Sequence, residues 1–257
     1  MCGLRFSARG LNVDPLALIL IGAAILAVAF LYSAVGHAGA SGYIAVLALA
    51  GFAPDVIKPT ALVLNILVAA IGSYQFWRAG HFRWSLFWPF ALLAAPAAFL
   101  GGYLHLPTPL FKIVVGIVLL FSALRFFLRP GDPVEAAPPK LPMALATGAG
   151  LGLLSGLTGT GGGIFLTPLM LLCRWAKTKN VAATSVLFIL VNSVTGLAGF
   201  LSSGKSVPAL AWPLAIVAIL GGTFGSYLGS RRFPVRTIQL LLAAVLLIAG
   251  VKLAFGG

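Results

Sequence analysis

The sequence predicts an all-α integral membrane protein made of two inverted five-segment repeats, with glycine-rich broken helices or hairpins at the repeat interface. Three observations predict it: an apolar composition, an internal repeat, and a lopsided distribution of basic residues. Of 257 residues, 60% are hydrophobic and 8% charged, and the mean hydropathy is +1.08. A soluble domain of this length cannot hide that much apolar surface, so lipid must cover much of it. Apolar runs of the ~20 residues that a spanning helix needs recur along the chain, and the alternating runs of about ten residues typical of barrels do not. Residues 60–128 repeat as 184–252 at an offset of 124. Thr60 falls on Thr184, Gly72 on Gly196, Phe76 on Phe200, Gly80 on Gly204 and Trp88-Pro89 on Trp212-Pro213. Gly101-Gly102-Tyr103-Leu104 falls on Gly225-Ser226-Tyr227-Leu228.

The first repeat, 15–129, offers segments at 15–34, 41–52, 59–78, 84–104 and 109–128. A linker covers 130–141; its proline-rich stretch PGDPVEAAPPK divides the halves. The second repeat, 142–256, offers 142–156, 163–175, 181–202, 208–229 and 234–255. The 15–34 run follows Arg5 and Arg9 as a signal peptide would, but it has no clear cleavage motif and similar runs follow, so it reads as mature. Pro15, Pro59, Pro109, Pro142 and Pro208 stand at segment starts, where no backbone donor is lost. Asp14, Thr108 and Ser206 are placed to cap. The second segment of each half is short; with its predecessor it forms either two spans or one hairpin dipping to the bilayer centre. Pro89 and Pro213 fall inside the fourth segments, where proline kinks a helix. The tryptophans, Trp77, Trp84, Trp88, Trp175 and Trp212, read mostly as interface markers.

An odd number of segments per repeat makes the two copies enter the membrane from opposite faces. The loop charges agree. Arg78 and Arg83 face Lys205 in the mate loop; Arg174, Lys177 and Lys179 face Lys58, beside Asp55; Arg231, Arg232 and Arg236 face Lys112. Arg125, Arg129 and Lys140 flank the linker. Placing the richer loops in the cytoplasm gives a consistent alternation with both termini outside, although Arg5 and Arg9 run against it. The net charge of +13 is then an orientation signal and not a nucleic-acid face. Cys2 and Cys173 have no CxxC spacing, so neither a disulfide nor a metal site is expected, and no cofactor.

Two glycine-rich turns lie between apolar runs: Ser33-Ala34-Val35-Gly36-His37-Ala38-Gly39-Ala40-Ser41-Gly42 and Ser155-Gly156-Leu157-Thr158-Gly159-Thr160-Gly161-Gly162-Gly163. Irregular backbone at membrane depth is tolerated where it lines a cavity, and broken helices there aim N-terminal amides at an anion. The candidate binding residues are His37, Gly39, Ser41, Gly42, Thr158, Thr160, Gly161, Gly162 and Gly163 at the turns, with Asn65, Thr184, Ser185 and Asn192 in the third segments. The acidic residues, Asp14, Asp55, Asp132 and Glu135, all fall outside the segments or at their ends. A cation carrier would bury a carboxylate, so this distribution favours an anion and opposes carboxylate-based proton coupling. His37 is the ionisable group placed away from an interface; it reads equally as a protonation site and as a neutral partner of a free carbonyl. The asparagines read equally as substrate contacts and as interhelical hydrogen bonds.

The stretch Gly159-Thr160-Gly161-Gly162-Gly163-Ile164-Phe165-Leu166-Thr167-Pro168-Leu169, with Ala183-Thr184-Ser185 and Asn192-Ser193 after it, resembles the signatures of the TauE/SafE family of sulfite and organosulfonate exporters. The first half departs from the pattern: Gly39-Ala40-Ser41-Gly42 is a diluted glycine cluster, and His37 sits within that turn. The resemblance implies a secondary transporter moving sulfite, sulfoacetate or a related small anion across the cell inner membrane. Its expected partners are the anion and the bilayer; a coupling proton and a second copy of the chain are optional ones, and nucleic acid is not expected. The alternatives are an anion channel and a membrane enzyme pairing Ser33, Ser41 or Ser155 with His37.

Overall fold

A computed structural model describes residues 15–34, 37–104, 106–127 and 136–229, with positions 247 and 251. Among them lie α1 (Pro15–Ala34), α2 (Ala40–Leu49), α3 (Pro54–Arg78), α4 (Trp84–Tyr103), α5 (Thr108–Phe127), α6 (Leu141–Thr158), α7 (Gly163–Leu172), α8 (Thr178–Ser202) and α9 (Ala211–Gly229). Six of these, α1, α3, α4, α6, α8 and α9, hold stretches long and apolar enough to cross a membrane. Every described regular element is a helix, as the sequence predicts. The 234–255 segment, Asp14 and the charges at 231–236 lie outside the described residues.

Several boundaries differ from expectation for physical reasons. α3 starts at Pro54, the residue that can open a helix without losing a hydrogen bond, and Pro59 is carried inside it. α9 starts at Ala211, so Ser206 does not cap it and Pro213 stands in its first turn, where its ring displaces no carbonyl. Pro89, by contrast, is inside α4, together with Pro96. The matched kink expected from Trp88-Pro89 and Trp212-Pro213 is therefore not shared. Thr108 is the first residue of α5.

Small residues decide how the helices pack. A Cβ placed on Gly148, Gly152 or Gly156 of α6 would strike the backbone carbonyls of Phe90, Ala94 and Ala98 of α4 in turn. Backbones approach this closely only where side chains are absent, and the ascending order shows that α6 runs parallel to α4. In the same way Gly221 and Gly225 of α9 meet the carbonyls of Leu26 and Phe30 of α1. At the 124-residue offset α6 is the counterpart of α1 and α9 of α4, so these two contacts are counterparts also. Antiparallel α3 and α8 cross at the centre, with Gly72 against Val186 and the Asn65 amide towards Ser193.

Two faces follow. On one, Asn180 Nδ2 donates to the His81 carbonyl at 2.7 Å and the Ala137 amide to the Arg174 carbonyl at 3.1 Å. On the other, Lys205 pairs with Asp55 at 2.8 Å. The Ala137–Arg174 bond closes the α6–α7 hairpin on the face where it begins, and ten-residue α7 rises only about 15 Å, half the hydrocarbon thickness. α2, also ten residues, folds back on α1 with Gly42 against Val28 and Tyr32. α2 and α7 are each ten residues long and fold back on the candidate span before them, α1 and α6. Exposed Leu16, Ile19, Leu92, Ile216 and Phe224 form the surface that lipid would cover. Trp77, Trp84 and Trp212 are exposed near helix ends, but Trp175 is buried against Phe90, with ring centroids 5.8 Å apart, and is a packing residue.

Candidate functional site

Each short helix begins immediately after a glycine in the left-handed region: Gly39 (φ 103°) before α2 and Gly162 (φ 78°) before α7. Neither N-cap is satisfied by a side chain. The first amides of a helix have no intrahelical acceptor and carry the positive end of its dipole, so both starts are electropositive. At α7 the chain needs two successive left-handed residues, Gly161 (φ 74°) and Gly162, which only glycine adopts cheaply. There is no room for a side chain either. A Cβ on Gly161 would lie 2.8 Å from Asn65 Nδ2 and 3.1 Å from Ser193 Oγ; one on Gly162 would lie 3.3 Å from Asn192 Nδ2. Gly163 packs directly on Ile189.

The α7 start thus faces polar side chains from the middle of α3 and α8. Asn65, Asn192 and Ser193 are all fully buried. Asn65 Nδ2 reaches Ser193 Oγ at a long 3.4 Å, while Asn65 Oδ1 and both polar atoms of Asn192 have no hydrogen-bond partner. Thr60 and Thr184, which coincide at the repeat offset, are both buried with unpartnered hydroxyls, as are Ser33 and Ser155. Leaving a buried polar group unpaired costs about 1–3 kcal/mol each, which makes these groups the candidates for holding a ligand.

His37 joins this system from the first half. Its Nε2 lies 3.1 Å from Thr167 Oγ1, and Thr167 donates to Ser185 Oγ at 2.9 Å. Thr167 has one proton and gives it to Ser185, so in this arrangement His37 donates to Thr167 through Nε2–H. Ser185 and Asn192 stand seven residues apart, on one face of α8.

Other candidates lie elsewhere. Ser41 is bonded to the Tyr32 hydroxyl at 2.8 Å, and Gly42 is spent on packing against α1. Thr158 donates to the Leu154 carbonyl at 2.7 Å and sits 3.0 Å from Thr160, so these two hydroxyls satisfy each other at the end of α6. Ser33 and Ser155 have no hydrogen-bond partner and Ser41 is engaged by Tyr32, so these contacts make none of the three the partner of a His37 base. Thr167 and Ser193 stand within the Gly159–Leu169 and Asn192-Ser193 motifs but are not among the binding residues the sequence predicts. Lys58, a loop charge by sequence, is buried within α3. No group of three or more His, Cys, Asp or Glu suited to a metal occurs among the described residues.

The sequence profile described as Sulfite exporter TauE/SafE matches residues 20–253. The chain belongs to the TauE/SafE family. It is 44% identical over 236 residues to the probable membrane transporter protein y4hK of Sinorhizobium fredii, covering 90% of this chain and 95% of that one. It is 29% identical over 242 residues to the probable membrane transporter protein YjnA of Bacillus subtilis, covering 85% of this chain and 92% of the relative. A second Bacillus subtilis relative, the probable membrane transporter protein YunE, is 26% identical over 192 residues, covering 65% and 69%. No solved structure matches this chain. Family membership and six candidate spans make this TauE/SafE chain a multi-pass membrane transporter.

Proposed function

We propose that this TauE/SafE protein exports a small sulfur anion — sulfite, sulfoacetate or a related organosulfonate — across the inner membrane by alternating access. The observation that carries the reading is the α7 start: an uncapped helix N-terminus at Gly161–Gly162 facing the unpaired amide of Asn192 and the Asn65–Ser193 pair. Amide N–H groups and a helix dipole suit oxygens that carry negative charge. Among the described residues the one acidic side chain is Asp55, exposed at the Lys205 face. A buried cation would have no carboxylate to pair with, which favours an anion.

The two halves are read as an inverted pair. The counterpart contacts α4–α6 and α1–α9, and the central α3–α8 crossing, support this. So does the charge asymmetry: Arg78, Arg83, Lys140, Arg174, Lys177 and Lys179 lie on the His81 face, which is read as cytoplasmic. Rocking of one half against the other would expose the central site to each face in turn, with protonation of the His37 imidazole as the coupling event.

The test is sulfite flux in proteoliposomes, with Gly161→Leu as the decisive variant. Its side chain would fill the space before Asn65 in a backbone geometry that leucine disfavours. Flux is expected to fall to background while the protein remains monodisperse. Unchanged flux would reject the site. Flux without countertransport, the transient uphill uptake of labelled anion driven by unlabelled anion inside, would identify a channel and reject the carrier.

A further inference from the structure

The amine of Lys58 is spent on nothing in the central site. It stands one turn into α3, is 6% exposed, and donates to the carbonyls of Gly101 and Gly102, each at 3.0 Å. Those carbonyls belong to the last turn of α4, which has no intrahelical donor and carries the negative end of that helix dipole. A lysine ammonium has three N–H donors, so one is left over after these two bonds. Among the described residues no ion pair includes Lys58; the carboxylate nearest in sequence, Asp55, is paired with Lys205 at 2.8 Å.

The surroundings are those of an open cleft. A shallow opening with about 20 Å³ of free space is lined by Lys58, Asp55, Leu104, Phe111, Leu157 and Phe200, so an ion larger than water would sit at its mouth. The Phe200 ring centroid lies 5.8 Å from Lys58 Nζ and 5.5 Å from Lys205 Nζ. Two lysines against one carboxylate leave this mouth net positive. The cleft also adjoins the turn that opens the central site. A Cβ on Gly159 would lie 3.1 Å from the Lys58 carbonyl oxygen and 3.4 Å from its Cγ. Lys58 and Asn65 are seven residues apart on one face of α3, about 10 Å along the axis. The opening and the Asn65 side of the central site therefore share a single helix face.

We infer that this cleft is a second anion site, in which a small oxyanion binds Lys58 Nζ at the Asp55–Lys205 face before or after it occupies the central site. The inference rests on the anion reading of the central site. It adds a location outside the glycine turns, whose ligand is held by a charge where the central site uses amides.

Titration of detergent-purified protein with sulfite, and separately with sulfate, followed by calorimetry, tests it. Lys58→Gln keeps amide donors for the α4 carbonyls but removes the charge. It is expected to weaken one binding event about tenfold or more, the worth of a charged hydrogen bond. Lys58→Arg should hold affinity near the parent's. Asp55→Asn removes the carboxylate at the mouth and should tighten the same event about threefold, as a lost repulsion in a wet site would. Parent-like binding in folded Lys58→Gln overturns the inference. Should Lys58→Gln not fold, Asp55→Asn decides alone, and unchanged or weaker anion binding overturns it. Asn192→Ala separates the two sites. If the Lys58-dependent event survives in Asn192→Ala while the Asn192-dependent event is lost, both readings stand. If Asn192→Ala changes nothing but Lys58→Gln still removes an event, the central-site reading falls and the cleft stands.

Discussion

His37 and Thr167 meet at 3.1 Å across the boundary between the halves, 130 residues apart in sequence. The bond ties the first glycine turn to the middle of α7, and Thr167 passes it on to Ser185 of α8 at 2.9 Å. An element from each half is thereby held by one chain of three side chains. Any motion of one half against the other must break or carry that chain.

The first prediction concerns this link. Thr167→Val removes both hydrogen bonds and leaves His37 and Ser185 to find other partners within the core. It should lower stability by about 1–3 kcal/mol, read as a drop in the melting midpoint of the purified protein. His37→Gln retains a donor for Thr167 but no titratable group. It should keep the melting point close to the parent's and flatten the dependence of sulfite flux on pH between about 5 and 8, where an ordinary imidazole titrates. A parent-like pH profile in His37→Gln would remove the imidazole from coupling.

A second prediction separates function from stability at Asn192. Both of its polar atoms are buried without partners, so Asn192→Leu removes a desolvation cost at similar volume. Stability should stay equal or rise by about 1 kcal/mol, while sulfite binding weakens about tenfold or more. A variant that melts earlier yet binds normally would mean that Asn192 serves the fold.

The packing of α6 on α4 supplies a third. A methyl on Gly152 would run into the Ala94 backbone, whereas one on Gly150, two residues away, would meet nothing within 4 Å. Gly152→Val should cost several kcal/mol and abolish monodisperse protein on size exclusion, because the neighbour is backbone and cannot yield. Gly150→Ala should fold normally and gain about 0.5–1 kcal/mol from helix propensity.

The orientation gives a fourth. Cys173 is exposed on the Arg174 face, and Ala53 is exposed on the Asp55 face. In a Cys2→Ser background, Cys173 of intact cells should resist an impermeant maleimide until the membrane is opened. With Cys173 also replaced by Ser, Ala53→Cys should react from outside. The reverse pattern would invert the assigned faces.

Much of this was legible in the residues. The helical class followed from apolar runs and glycine-rich breaks, because both are local properties that do not depend on what packs where. The turns at His37–Gly39 and Gly159–Gly162 were found for the same reason: glycine at membrane depth is informative wherever it occurs. Helix starts were less legible. Pro54 and Pro59 are equally good first-turn prolines, and only the burial of Lys58 through Asn65 drew the helix back to Pro54.

The sequence by itself determined that the chain is a membrane helix bundle with a duplicated plan, and which glycines interrupt it; composition and repeat are properties of the chain alone. Tertiary structure decided which polar groups share a site. Ser193 meets Asn65, and Thr167 meets His37, because close backbone contact at the glycine positions brings distant helices within hydrogen-bond reach. Lys58, beside Asp55 and Pro59, has the neighbours of a loop charge; it becomes a buried cation because the end of α4 arrives at its amine with two carbonyls that have no other donor.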